Sequence, residues 1–500
     1  GEGAGLWKGM VERDDDDEGA MKTKQRKHDK KRDHKNTENI KDEGSKLSPP
    51  SVETTGRLLS SCLSLLTSSS SSTSSRNVET LATAVMDLLL EIVAGGGGKG
   101  KGSHSMLLGA HTFPCVLSTL SSLQQHFGGG GGTKLGGGGQ VVDSKGEAVF
   151  DRLVFSATPR EFSNLLQTSL NHLHQACQQM EELESTGSLD EGGELADKEA
   201  ALGKRSAFLT DREWMEERAV GSAFLGSRWL HALVKKGTTK SRSSILHAHI
   251  SSILHKISIS SRIFSRLWIQ RGAGGWGKST GWVEAKAVVD RGIDVVGMVL
   301  TNTKGIELKG SHVSLALHVV TSLVPTLTVK HSARTRQHVH TLLMVACKPM
   351  LLLVKHRLSL LSRKLGGFTK HLLTMMRYIV SLWKRLSTDA NPKKKKEYEL
   401  SLECASALSR VMEDLGRRET VKLVNKYVPY LLHMYAQGAG ALPLDARQRG
   451  AITPGVYALI AICTDVEFRQ IFANLDEGGK AVFKKLLADY KKTHKFTGDV

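Results

Sequence analysis

Cysteine is scarce in this sequence, and none of it is arranged for chemistry. Cys62, Cys115, Cys177, Cys347, Cys404 and Cys463 form no Cys-x-x-Cys pair, and none has a histidine at Cys-x-x-x-His spacing. This excludes a disulfide framework and a zinc site, and fits reduced thiols in a cytosolic or nuclear compartment. Aromatic residues are only 5% of the chain. No apolar run reaches ~18 residues, which argues against a transmembrane helix. No secretory signal opens the chain, which begins at Gly1 without a methionine and reads as a fragment. Catalytic signatures are missing too: there is no His-Glu-x-x-His, no Gly-x-Ser-x-Gly, and no paired-aspartate cluster outside an acidic tail. The 20 histidines are scattered. His247 and His249, like His338 and His340, stand two apart and would leave a helix on different sides, which is poor metal geometry.

Acid is also short. Lys and Arg number 69 against 50 Asp and Glu, a net charge of +19. Such an excess points to a polyanion partner or a membrane surface. The 500 residues are enough for ~3–4 domains or one long repeat array. Glycine, 50 residues, lies largely in homopolymer runs, so part of the chain cannot pack.

Along the chain, residues 1–76 read as a disordered tail. An acidic block, Asp14 to Glu18, precedes a basic one, Lys22 to Lys35, with eight Lys/Arg against two Asp. The basic block suits a nuclear or nucleolar address, or an RNA-contacting arm. Gly95–Gly98, Gly128–Gly132 and Gly136–Gly139 read as flexible spacers between helical pieces, Asn77–Val93 and the weaker Phe113–Phe127.

From about residue 145 helical spacing is continuous. Thr158-Pro159-Arg160-Glu161 is a start signal, because Thr caps, Pro fits the first helical position and Glu reaches back. Phe162, Leu165, Leu166, Leu170, Leu173, Cys177, Met180 and Leu183 then form one apolar stripe. An acidic, glycine-containing loop follows at about Ser185–Ala200, and Thr210-Asp211 starts the next helix, ending near Gly237. Ser243–Gln270 is one long or two shorter helices. Residues 271–310 leave helix and strand undecided.

Helical stretches follow at 311–323, 336–364, 369–387, 394–415 and 419–436. A Gly/Pro-rich connection, Gly438–Pro454, leads to a terminal set at 455–463, 465–474 and 477–492. With no competing strand pattern, this predicts an all-α chain, an irregular α-solenoid of the HEAT or armadillo kind without a clean repeat period. A helical array with Gly-rich loops spans 77–300, and a C-terminal helical domain spans 301–500.

Gly272-Ala-Gly-Gly-Trp-Gly277-Lys278-Ser279 satisfies the phosphate-loop pattern. In that pattern backbone N–H groups wrap phosphates, Lys meets the β/γ oxygens and Ser holds Mg²⁺. The context argues for a plain glycine loop. Ile263–Gln270 reads as an amphipathic helix and not a buried strand, Gly281 follows where a helix should propagate, and Asp290 comes too soon for a second Mg²⁺ carboxylate.

Between Lys330 and Lys396 there are sixteen Lys/Arg and one acid, Asp389, a net +15. In the 369–387 helix, Leu372, Leu373, Met376, Val380, Trp383 and Leu386 form the apolar side. Lys370, Arg377 and Lys384 recur every seven residues with Thr374 and Ser381 between them, a ladder of cations suited to sequence-independent phosphate contact. Arg385 adjoins the ladder. Asn391-Pro392-Lys393-Lys394-Lys395-Lys396 reads as an exposed loop and a second address cluster.

The last stretch carries a resemblance. It runs Ile452-Thr-Pro454-Gly455-Val-Tyr457, then Phe468, Leu475-Asp476-Glu477-Gly478, Phe483, Leu486, Asp489-Tyr490 and Lys495-Phe496-Thr-Gly498. It resembles the C-terminal domain of the unhealthy ribosome biogenesis protein 2 family, also called nucleolar pre-ribosomal-associated protein 2. The clearest match covers about 50 residues, with a looser helical likeness back to about residue 300; the Gly and Ser runs and the 272–280 loop depart from the family pattern. The resemblance implies a non-enzymatic helical nucleolar factor without cofactor or metal. It would act in large-subunit assembly and precursor rRNA processing, with pre-ribosomal particles, precursor rRNA and nucleolar assembly factors as partners. Pro454, Gly455, Tyr457, Phe483 and Tyr490 mark its fold. Alternatives are a nucleotide-dependent factor using Lys278 and a generic helical adaptor for acidic proteins. If the glycine loop is accidental, Lys278→Ala leaves function and melting temperature unchanged. An ATP- or GTP-induced melting shift that this variant abolishes would overturn that reading.

Overall fold

Thr158 shows how these helices begin. Its backbone N–H and its hydroxyl both donate to Glu161 Oε2 at 2.7 Å, and the Glu161 N–H returns a bond to Thr158 Oγ1 at 3.3 Å. Donors that would be orphaned in a first helical turn are thereby satisfied. The same device recurs at Asp445 with Gln448 and at Thr464 with Glu467. The computed structural model describes residues 61, 75–94, 112–123, 138–187, 211–237, 240–273, 280–324, 333–386, 392–417, 425–440 and 445–494. The basic block Lys22–Lys35, the first two glycine runs and nearly all of the acidic 185–200 loop lie outside them.

Among the described residues every regular element is helical and none is a strand. The helices are α1 Ser75–Ala94, α2 Thr112–Leu123, α3 Gly138–Ser156, α4 Pro159–Gly187, α5 Asp211–Lys236, α6 Lys240–Ala273, α7 Thr280–Thr301 and α8 Gly310–Leu323. They continue as α9 Ala333–His356, α10 Leu358–Leu361, α11 Leu365–Leu386, α12 Pro392–Leu415, α13 Val428–Gly440, α14 Ala446–Ala461, α15 Asp465–Asn474 and α16 Glu477–His494. Short 3₁₀ turns, Ser362–Lys364 and Asn425–Tyr427, precede α11 and α13. All of these lie in one compact unit, Pro50–Val500.

Packing follows two rows. In one, α3, α5, α7, α9, α12 and α14 each pack on the next; in the other, α4, α6, α8, α11, α13 and α16 do the same. The rows are joined through α4–α5, α6–α7, α8–α9, α11–α12 and α13–α14. A single apolar cluster runs through them from Ala82 to Phe483. The stripe from Phe162 to Met180 is buried in it, with Leu183 at its margin. Thr335–His356 of α9 is long and apolar enough to cross a membrane, but over half of its apolar window is buried, and α9 packs among α6, α7, α8 and α12.

Several expectations are corrected. Residues 280–301 form a helix that passes through Gly281, with Val288, Val289, Val295, Val296 and Val299 buried; tertiary burial outweighs the weak helix preference of valine. The 336–364 stretch breaks at Arg357, which leaves helical geometry at φ −135° and ψ 27°. The Gly136–Gly139 run ends inside α3. Gly438–Pro454 is not a connection, because α13 reaches Gly440 and α14 starts at Ala446. Pro454-Gly455 is therefore helix interior. The true start is Asp445, whose carboxylate accepts the Gln448 N–H at 2.8 Å. Pro454 is tolerated on the exposed side. Gly455 donates its N–H to Ser409 Oγ at 2.8 Å, and a Cβ there would lie 2.6 Å from the Ser409 carbonyl oxygen. On α12's side Gly416 is equally necessary, since its Cβ would sit 2.6 Å from the Ala458 oxygen. Two glycines thus set how closely α12 and α14 approach.

The end of the array is closed by aromatic side chains. Phe483 is fully buried, with Phe472 and Phe468 ring centroids at 5.0 and 6.1 Å. Tyr457 and Tyr490 meet edge-on at 5.5 Å. Phe483→Ala should lower stability by ~3–5 kcal/mol, as for a large core truncation. Chemical denaturation showing a loss below ~1 kcal/mol would contradict this packing.

Candidate nucleic-acid interface

The cation-rich segment 330–396 sorts into two groups once it is folded. In the first, acids supplied from elsewhere in the chain pair with its cations. Arg336 on α9 forms a two-pronged pair with Glu397 on α12, and Lys348 pairs with Asp294 on α7. Lys355 Nζ lies 3.4 Å from Asp414, which Arg417 also contacts at 3.0 Å. Arg357 is buried among carbonyls. Its guanidinium donates to the backbone oxygens of Leu300 at 3.0 Å, Asn302 at 2.9 Å and Ile306 at 3.1 Å. These are acceptors at and just beyond the C-terminus of α7, where a helix leaves carbonyls unpaired and cations are favoured.

The second group faces outward. Arg363, Lys364, Lys370, Arg377 and Lys396 are exposed. Lys370 and Arg377 stand two turns apart on α11. Thr374, between them, and Ser381, one turn past Arg377, bond back to their own helix, Thr374 to the Lys370 carbonyl and Ser381 to the Tyr378 carbonyl, both at 3.0 Å. Arg377 Nε donates to Met434 Sδ at 3.5 Å, so the ladder is tied to α13. Lys384 and Arg385 lie in the last turn of α11, and their side chains are outside the described set. The other side of α11 buries Leu372, Met375, Met376, Ile379, Leu382 and Trp383, while Leu373 and Val380 are only half-buried. Trp383 Nε1 donates to Ser401 Oγ at 3.1 Å. The Pro392–Lys396 cluster is not a loop but the first turn of α12, with Pro at the first helical position.

Sequence reasoning missed Lys426. Its ammonium lies 5.0 Å from the Tyr427 ring centroid, and Tyr427 in turn covers Gly366, where a Cβ would come 3.4 Å from the phenolic oxygen. The fold thereby brings an exposed cation and an aromatic ring beside the start of α11, some sixty residues away in sequence. The signal was the interleaving of Lys426, Tyr427 and Tyr430.

The other candidates are separated. Gly272 lies near the end of α6, and Gly277, Lys278 and Ser279 are outside the described residues; the segment before them is helix, not strand. His247 meets His312 at 6.2 Å, His249 approaches Ser163 Oγ at 3.4 Å, and His338 lies tilted against Trp268 at 4.9 Å between ring centroids. His340 is fully buried, and burial, with a smaller contribution from Arg336, pushes its pKa down to about 4. Among the described residues no three His, Cys, Asp or Glu converge as metal ligands would. Cys177, Cys347 and Cys404 are buried free thiols and Cys463 is half-buried. Burial raises the pKa of Cys177, Cys347 and Cys463 to about 12, which disfavours their thiolate forms.

Residues 228–499, more than half of the chain, match the Urb2/Npa2 family. No curated protein and no solved structure matches. The match contains both the exposed α11 cations and the aromatic closure around Phe483.

The two cation groups should respond differently to neutralisation. Arg357→Gln should cost ~2–4 kcal/mol, because several buried carbonyls lose a charged donor. Lys370→Gln should stay within ~0.5 kcal/mol, as for an exposed side chain. Equal losses in urea unfolding would refute the division.

Proposed function

Since the chain belongs to the Urb2/Npa2 family, a ribosome biogenesis family, we propose that it is a non-enzymatic nucleolar scaffold for the large subunit and its precursor rRNA. The family match carries this reading, and the charge sorting on α11 supplies a physical means. We read the two helix rows as an irregular α-solenoid of the HEAT or armadillo kind, an architecture that offers an extended surface to several partners. Its partners are pre-ribosomal particles, precursor rRNA and other nucleolar assembly factors. Lys22–Lys35 serves as the nuclear and nucleolar address. No reaction chemistry is assigned to the chain.

In this reading Lys370, Arg377, Lys384 and Arg385, with the Lys393–Lys396 turn, meet rRNA phosphates. Neighbouring Arg336, Lys348, Lys355 and Arg357 are already engaged within the fold and serve it instead. Contacts to phosphate position a nucleic acid without reading its sequence. Replacing Lys370, Arg377 and Lys384 together by Gln should leave the helix folded and weaken RNA association similarly across sequences. The log–log salt slope should flatten by up to about 2–3 units, at ~0.7–0.9 for each phosphate that is no longer neutralised. Trp383→Ala, which removes a buried anchor of the same helix, should instead damage folding. A triple variant that binds with unchanged affinity and slope would leave protein-only docking as the function of the scaffold.

A further inference from the structure

We propose that the groove between α13 and α15 binds an unpaired nucleotide of single-stranded RNA, with the base stacked on Tyr430. This rests on the reading that the α11 cations contact rRNA phosphates, and it assigns which form of RNA continues past them. The groove is open and has a volume of about 890 Å³. Tyr430 stands in it with 64% of its surface exposed, and Val466 faces it from α15 with the same exposure. An aromatic ring left so bare, with only one aliphatic neighbour of similar exposure, is too small an apolar surface for a helix to bury. It does suit the face of a single base, whose stacking on an aromatic side chain is sequence-tolerant.

Apart from Pro429 and Ile471, the rest of the groove is lined by polar side chains in a way that fits a nucleotide. Lys426 lines one end, and its ring partner Tyr427 lies over Gly366 at the start of α11. That end therefore joins the exposed cluster of Arg363, Lys364 and Lys370, and a backbone running along those cations arrives at Tyr430 with its phosphate beside Lys426. Gln470 and Asn474 line the α15 side and offer amide groups to a base edge. His433 is held in place by donating Nε2–H to the Asn474 carbonyl at 3.0 Å, and Asn474 Nδ2 donates to the Gln470 carbonyl at 2.9 Å, so this wall is pre-arranged. The groove's acid, Glu467, accepts both the N–H and the hydroxyl of Thr464, at 2.6 and 2.8 Å. Its carboxylate is thereby turned to the start of α15, where the helix N-terminus offsets its charge. A duplex keeps its base faces stacked and has nothing to offer the ring.

The test measures the full chain binding a labelled single-stranded oligoribonucleotide and a blunt RNA duplex of equal length. Tyr430→Ala should weaken single-strand binding at least about fivefold. Duplex binding, salt slope and melting temperature should not change, since the ring is exposed and uncharged. Tyr430→Phe should bind like the parent, because stacking needs the ring and not the hydroxyl. The proposal is overturned if Tyr430→Ala binds both RNAs normally or weakens both equally. It is also overturned if that variant loses pre-ribosomal particles while RNA binding stays intact, which would assign the groove to a protein. A Lys370/Arg377/Lys384 triple Gln variant run in parallel separates the two readings. If it binds normally while Tyr430→Ala does not, the phosphate ladder fails and the groove stands; the reverse outcome removes the groove and keeps the ladder.

Discussion

A guanidinium inside a ring of carbonyls sets the geometry of the basic region. Arg357 interrupts what would otherwise be one helix from Ala333 onward, and it fills the gap left at the end of α7. The break frees the chain to turn through α10 and the Ser362–Lys364 turn before α11 begins. That redirection lets α11 bury its Leu372–Trp383 side against α12 and α13 and leave Lys370 and Arg377 in solvent. A continuous helix through 336–364 would carry these cations along a different line. The charge that holds the bend and the charge that is displayed beyond it thus have separate tasks.

The same separation explains why a local count of acids misleads. Only Asp389 stands between Lys330 and Lys396, yet Asp294, Glu397 and Asp414 reach the segment through tertiary packing. Each pairs with a cation on α9, whose neighbours are α7 and α12. Most of these pairs are partly exposed and individually contribute little to stability. They lower the net charge around α9, so within residues 330–396 the exposed cations without an acid partner in these pairs include Lys370 and Arg377 on α11 and Arg363 and Lys364 in the turn before it.

How much of this was legible follows the range of the interactions involved. The Thr158–Glu161 start and the stripe from Phe162 to Met180 depend on residues three or four apart, and they were readable. So was the all-helical class, because apolar spacing near 3.6 persists through most of the chain. The Arg357 break was not: its acceptors on and after α7 lie some fifty residues away, and the local residues are good helix formers. The stretch up to Pro454 reads as a connection for a related reason. The tolerance of Pro454 depends on Gly455 and Ser409, which belong to different helices, while the local Asp445–Gln448 box carried the true signal. On α11 Lys370 and Arg377 of the heptad-spaced set are exposed, but the apolar side is centred nearer Met375 and Ile379 than on Leu373 and Val380. The Tyr430 groove exists only because α15 returns to α13, and no periodicity announces that.

In the proposed function the exposed α11 edge, and not the paired α9 cations, is the surface that would meet precursor rRNA. Crosslinking the tagged protein to RNA in cells and mapping the crosslinked peptides tests it most directly. The expected result is crosslinks to large-subunit precursor rRNA clustered in residues 363–384 and at Lys426–Tyr430. Crosslinks confined to the Lys22–Lys35 tail, or none on a protein that still enters pre-ribosomal particles, would contradict it.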